Sequence, residues 1–449
     1  MLSVLYWIYC LAFAFDFRGE AGGSAVQYVF LLLAVGSGLA IMAVGYRALF
    51  TLPGVYLVLL WIGFLVLTPL VAVGQGVPIG NYIRCSLPLH FMGLSLFVMQ
   101  VMAGSATDPH KLLFPLVVSG AINIFWRAVY SLVIMKIPIH EIRYELLSSA
   151  APFFIGYAMV AFFFSQRRVP MDVLIGGGLT FGSLFISITR SYIATAGFAF
   201  LACVALLYVS LRRRQWTVPA IIGKLKQAAG LGVIGVVMIL VIAITNPLVL
   251  ERWTKRLLEN AGTGAETSAD VSLLTRQAEF DTMFGMLSEN PHTYFFGLGL
   301  GAYYQWDEAY LHELLLVWGD RDDLNEEIFF PGHSTWVYAV FSSGYLGLAC
   351  YLLVFLGGLA FAWRVIWKLS FAGHPPNEFL ILPMVVTLCY LSQTFTANPF
   401  IDRFAGLIIG LFLGYPQVFL NRYRFAQLSQ PLASQPTMPV ASMQPSPVP

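Results

Sequence analysis

Charge is what this sequence has least of. Asp, Glu, Lys and Arg make up 11% of its 449 residues, while 58% are hydrophobic and 15% aromatic. An average soluble domain carries about 25% charged residues, and the mean hydropathy here is +0.75. An ordinary soluble globular protein is therefore excluded, and the chain falls in the membrane class. Its net charge of +2 leaves no basic footprint for nucleic acid. The five cysteines (Cys10, Cys85, Cys203, Cys350 and Cys389) are scattered, four of them within apolar runs, which excludes both a disulfide framework and a zinc-type spacing. Missing too are a Gly-rich phosphate loop followed by Lys-Ser or Lys-Thr, a nucleophile elbow and an Asp-x-Asp pair suited to a nucleotide-sugar metal site. The N-terminus lacks a basic region and a small-residue cleavage site, so its first apolar run reads as a retained helix.

The little acid there is lies mostly in one place. Between Glu251 and Gly332 stand 15 of the 23 acidic residues, against five basic ones. A bilayer protein rarely builds one long polar loop without a use for it. The rest of the chain then reads as the scaffold that holds this loop against the membrane.

Apolar runs long enough, or nearly long enough, to span a bilayer lie at 2–15, 26–45, 53–74, 88–103, 112–136, 152–165, 172–189, 192–210, 229–248, 334–362, 379–396 and 404–420. They predict an all-α membrane protein of about twelve transmembrane helices, with one long, partly helical loop between helices 9 and 10. Arg47, Lys111, Arg167-Arg168, Arg212-Arg213-Arg214, Lys224, Lys226, Arg364, Lys368, Arg422 and Arg424 fall on one side of an alternating topology. The positive-inside rule puts that side, with both termini, in the cytoplasm and the acidic loop outside. The expected organisation is helices 1–9 over 1–248, the loop over 249–333, helices 10–12 over 334–420, and a Gln-, Ser- and Pro-rich disordered cytoplasmic tail over 421–449.

Two stretches of the loop have helical periodicity. In Asp270–Glu289 the residues Leu273, Arg276, Phe280, Met283, Phe284 and Leu287 fall on one face, so the stripe rests on the membrane or on the helix bundle and holds Arg276 beside it at the interface. In Trp306–Trp318 the residues Trp306, Tyr310, Leu314 and Val317 repeat likewise. Gly297-Leu298-Gly299-Leu300-Gly301 between them reads as a turn.

Four arginines, Arg127, Arg143, Arg190 and Arg276, stand at or within membrane depth. A guanidinium there costs at least ~2.5–3.5 kcal/mol and needs a partner. Arg190 interrupts two apolar runs at the outer end of a tight helix pair. It is either a snorkelling charge at a helix end or, with two helix ends beside it, an anion site suited to a diphosphate. A structural ion pair is the plainer account of Arg127, and Arg143 has Glu141 and Glu145 as local partners. His333 follows Pro331-Gly332 where the loop re-enters the membrane, with Ser334 or Thr335 placed to cap the next helix. A lone loop histidine is commonly inert, but a general base acting on a lipid-linked substrate would stand at this level. His292 and His312 are too far apart in sequence for a local metal site. Asp320 to Glu327 is more simply a solvated acidic loop than a cation site. No metal or cofactor is expected.

In order along the chain, Thr189-Arg190-Ser191-Tyr192, the Arg276 helix Leu274-Thr275-Arg276-Gln277-Ala278-Glu279-Phe280, the Gly297–Gly301 turn, and His333-Ser334 before Ser343-Gly344-Tyr345-Leu346-Gly347 resemble the O-antigen ligase and O-antigen polymerase superfamily over roughly 140–415. His-Ser stands where that family has His-Asn, and the family continuation after Arg143 is absent. The resemblance implies a metal-independent glycosyltransferase of the bacterial inner membrane. A glycan would pass from an undecaprenyl-diphosphate-linked donor to an acceptor hydroxyl, on another glycan or on lipid A core. Arg190 and Arg276 would bind the diphosphate, His333 would be the catalytic base, and Arg143 a further substrate contact. The same features also fit a flippase of lipid-linked oligosaccharide that performs no chemistry.

Overall fold

The computed structural model describes residues 1–15, 25–49, 55–104, 108–138, 146–165, 170–187, 189–212, 271–307, 310, 328–329, 331–371, 378–395 and 397–428, with single positions between 222 and 251. These form α1 (Leu2–Leu11), α2 (Ala25–Leu49), α3 (Val55–Gly74), α4 (Ile79–Gly104), α5 (Pro109–Val129, continued by a π turn over Tyr130–Ile134), α6 (Ala151–Phe164), α7 (Met171–Ser187) and α8 (Arg190–Arg212). After them come α9 (Val271–Ser288), the single turn α10 (Thr293–Phe296), α11 (Thr335–Phe371), α12 (Glu378–Gln393), α13 (Arg403–Gly414) and α14 (Pro416–Leu428). Seven helices among the described residues are long and apolar enough to cross a membrane, and four shorter ones are apolar in the main. The chain is thus an all-α, multi-pass membrane protein. Most of the apolar run 229–248 lies outside the described residues; its described positions, such as Val233, Val237, Leu240 and Ile244, are helical and exposed.

α4 is the central column, with α2, α3, α13 and α14 packed around it. Gly406, Gly410 and Gly414 set one bare stripe of α13 against it. A Cβ on Gly406 would stand 2.1 Å from the Pro88 carbonyl oxygen, and one on Gly410 2.1 Å from that of Met92. Between apolar helices in lipid, close backbone approach of this kind is the main source of attraction. α6, α8 and α12 make a second group. α4 begins at Ile79, earlier than the apolar run from 88, because Asn81 and Arg84 lower hydropathy without breaking the helix. α14 continues to Leu428, past the boundary set at 420, since a helix leaving a bundle need not stop where apolarity does; residues 429–449 lie outside the described residues.

Arg127 has the partner its position demands. Its guanidinium donates to Asp402 Oδ2 at 3.2 Å and to the Leu147 carbonyl, and it is 7% exposed. Asp402 also caps α13, accepting from the Phe404 N–H at 2.9 Å. The ends of α5, α6 and α13 are thereby tied together. At the opposite end of the bundle, Arg422 pairs with Asp108 at 3.8 Å and Lys368 lies over the Tyr423 ring. Lys111, in the first turn of α5, also sits at that end.

α11 is not one continuous helix. Gly344 stands at φ 64° and breaks it in two. The turn after α10 fills the break: the N–H groups of Leu298 and Gly299 donate to the carbonyls of Phe341 and Ser342, at 2.8 and 3.0 Å. Irregular backbone at such depth is tolerated where protein satisfies it. Both chains need glycine here, since a Cβ on Gly344 would lie 2.2 Å from the Phe295 backbone, and Gly297, at φ 77°, meets that of Ser342. The described stretch from α9 through Gly301 therefore lies down on the bundle, as an amphipathic segment must.

Candidate functional site

α9 packs on the first half of α11, and its rotation sets the site. The buried face is Thr275, Ala278, Glu279, Met283 and Leu287. Phe280 is 46% exposed and stacks on Phe284 at 4.4 Å between centroids. Met283 and Leu287 of the stripe read from periodicity are buried, while Phe280 faces away from the bundle and an acid faces in. The cause is tertiary, since Ala278 packs on Trp306 and Glu279 has a polar partner waiting. Trp306 lies in extended chain beside the Tyr304–Ile328 bridge, not in a helix as its spacing implied. Residues 311–327, with the rest of that expected helix and the acidic cluster, lie outside the described residues.

The partner of Glu279 is His333. The carboxylate, 2% exposed, accepts from the His333 backbone N–H on both oxygens, at 3.0 and 2.8 Å. Its Oε1 lies 2.6 Å from His333 Nδ1. A carboxylate oxygen accepts, so the imidazole donates through Nδ1, and in the neutral ring the lone pair is then on Nε2. The histidine side chain is 60% exposed, so Nε2 faces outward while Nδ1 is held. Gly332 makes the approach possible, because a Cβ there would stand 2.9 Å from the Glu279 carboxyl. The Pro-Gly step before the histidine is therefore the space that its orienting carboxylate occupies.

Neighbouring groups lock this pair to the bundle. Ser334 accepts the Val337 N–H at 3.5 Å, as a capping residue does. Thr335 instead reaches across to the Ala397 carbonyl and Asn398 Oδ1, at 3.2 and 3.3 Å. That loop runs on to Asp402 and its ion pair with Arg127. Tyr304 stands close enough for the Glu279 carboxylate to act on it. Burial first, and that charge second, push its phenol above the usual range, so it remains a neutral donor.

Arg276 is partly buried on α9, three residues before Glu279, which places both on one side of the helix. Arg190 opens α8; its side chain, and Arg143 altogether, lie outside the described residues. The structure therefore joins His333 to the Arg276 helix. Two residues of interest come from the structure alone. Glu279 is one. The other is Arg84, near the start of α4, whose guanidinium lies 5.9 Å from the Phe329 ring centroid on the segment leading to His333. A shallow cleft between the end of α1, α2, α4 and α13, with Arg403 in its wall, is lined by none of these groups.

A histidine with one nitrogen tied to a buried carboxylate and the other open is a proton acceptor held in register, and a cation one helical turn away suits an anionic group beside it. No family model matches the chain, and no characterised protein matches its sequence closely.

Proposed function

We propose that the protein is a glycosyltransferase of the O-antigen ligase or polymerase type, acting at the periplasmic face of the bacterial inner membrane with both termini in the cytoplasm. The observation that carries the reading is the Glu279–His333 pair, with Arg276 one helical turn before Glu279 on α9. The donor is a glycan on undecaprenyl diphosphate and the acceptor a hydroxyl of another glycan or of lipid A core. The acceptor oxygen bonds to the anomeric carbon as its proton passes to His333 Nε2. The bond from that carbon to the phosphate oxygen breaks, and its electron pair leaves with the diphosphate. Arg276, with Arg190 at the start of α8, offsets the charge of the diphosphate. Arg143 is a further candidate contact. No metal or other cofactor takes part.

The test is to incubate the purified protein with a lipid-diphosphate oligosaccharide and measure released undecaprenyl diphosphate together with the lengthened or transferred glycan. His333→Ala abolishes product by ~10²–10⁴-fold while leaving donor binding near normal. Unchanged product formation by that variant overturns the catalytic role. A second reading, transport of lipid-linked oligosaccharide, is favoured by the break in α11 at Gly344, since discontinuous helices line transporter sites. It forecasts movement of the donor across a vesicle membrane with no glycosidic bond formed by the wild type.

A further inference from the structure

Close to the outward-facing His333 stands a pair of aromatic rings that the packing of the bundle leaves open. Trp336 follows the histidine by three residues, in the first turn of α11, and is partly exposed. Its ring meets that of Phe395 at 6.1 Å between centroids, inclined at 46°. Phe395 is 66% exposed and lies on the irregular chain between α12 and α13. That chain is anchored on both sides of it. The Ala397 N–H donates to the Gln393 carbonyl at 2.7 Å, and the Thr394 hydroxyl to the Leu391 carbonyl at 2.6 Å. The Thr335 hydroxyl, next to Trp336, bonds the Ala397 carbonyl and Asn398 Oδ1. Gln393, Thr394 and Asn398 are all buried, so a held loop sets one bare ring outside itself, against the helix that follows the candidate base.

We infer that Trp336 and Phe395 form a stacking site for a pyranose ring of the acceptor glycan. The inference rests on the proposed function and names what holds the substrate whose hydroxyl gives its proton to His333. A pyranose carries C–H groups on its faces and hydroxyls around its rim, so it lies on an aromatic ring and keeps its polar edge in water. An acceptor whose hydroxyl reaches Nε2 sets its own ring, or the adjoining one, beside the imidazole, and the chain holds Trp336 within three residues of it. Lipid is the competing cover for an exposed ring. Aromatic anchors at a membrane surface are chiefly Trp and Tyr, whose polar tips stay wet, and Phe395 has no such tip. Its neighbours in the loop are polar as well, unlike the aliphatic side chains exposed on α2 and α3. A fixed loop also presents the ring at little cost in ordering when a sugar arrives.

The experiment uses the full chain in nanodiscs with two probes: the glycan freed by mild acid from the lipid-diphosphate donor, and the oligosaccharide of lipid A core. Saturation transfer from aromatic protons of the protein to the sugar C–H protons reads contact, and titration of each probe reads its Kd. In the expected result one probe binds, and Phe395→Ala and Phe395→Leu both weaken it about three- to tenfold, the size of one ring contact. Phe395→Trp, which keeps a flat ring, restores binding. Trp336→Phe keeps more of the contact than Trp336→Leu, with thermal unfolding measured beside each to separate lost contact from lost fold. Wild-type affinity in Phe395→Leu shows a ring used only as apolar bulk and overturns the inference. Saturation transfer unchanged in Phe395→Ala overturns it too, as does a wild type that extends a glycan while binding neither probe; the proposed function survives all three. Ring-dependent binding by a wild type that releases no undecaprenyl diphosphate has the opposite meaning: the sugar site stands and the transfer reaction falls. A wild type that binds neither probe and forms no product defeats both.

Discussion

Replacing Glu279 by Gln is the sharpest probe of the site, because it changes one atom and removes a charge. Glu279 offers two acceptor oxygens, and the His333 segment uses both, through the backbone N–H at 3.0 and 2.8 Å and through Nδ1 at 2.6 Å. Glutamine offers one oxygen and one NH₂ group. If the oxygen keeps the backbone N–H, the NH₂ group faces Nδ1 and drives the ring to the other tautomer, with the hydrogen on Nε2. An imidazole in that state presents a donor to the acceptor hydroxyl and takes no proton from it. Turnover should fall by ~10²–10⁴-fold, towards the upper end when tautomer control is the whole of the effect. Stability should fall too, by roughly 1.5–3 kcal/mol for a lost charge-assisted hydrogen bond. Donor affinity should change little, since neither group faces the diphosphate. Turnover, donor binding and thermal unfolding in the same detergent separate these quantities. The double variant with His333→Ala decides the issue. If the two residues act as a unit, Glu279→Gln adds almost nothing once the imidazole is gone. Wild-type turnover in Glu279→Gln, or losses that multiply in the double variant, would refute the reasoning.

Gly332→Ala should reproduce a milder form of this loss, because its new methyl stands 2.9 Å from the Glu279 carboxyl and must displace it; turnover falls while donor binding holds. Gly344→Ala meets both a left-handed φ of 64° and a backbone contact of 2.2 Å, so it should destabilise the fold by at least about 1–3 kcal/mol, read as a lowered unfolding temperature. Arg127→Ala leaves Asp402 without its cation and should cost about 3–5 kcal/mol, whereas Arg127→Met with Asp402→Asn should recover much of it. Thermal unfolding of the two variants checks the pair, and equal losses in the single and double variants would deny the coupling.

The elements that length and apolarity govern were legible in the sequence. Runs of apolar residues become α2, α3, α5, α7 and α8 almost where they were drawn, because a membrane helix needs little beyond length and apolarity. The charge argument also held for Arg127: a guanidinium among lipid-facing helices requires a partner, although nothing local pointed to Asp402, 275 residues away. The break at Gly344 was hidden, since glycine within an apolar run reads as helix packing and carries no sign of its backbone angle.

The rotation of α9 is the instructive case. Hydrophobic periodicity assumes that a helix buries its most apolar face, and on that rule Phe280 turns inward and Glu279 goes to solvent. The structure does the reverse. A buried carboxylate is costly unless hydrogen bonds satisfy it, so a rotation that hides Glu279 and exposes Phe280 is stable only with the His333 N–H and imidazole already at hand. The apolar stripe determines that α9 lies against the bundle; the polar pair determines its rotation. Local pattern gives way to tertiary chemistry at the one helix that orients the candidate base, which is where a site held under such constraint should defeat it. An Arg-containing amphipathic helix ahead of a Pro-Gly-His re-entry therefore merits inspection for an acid three residues after the arginine, even where the apolar count points that acid outward.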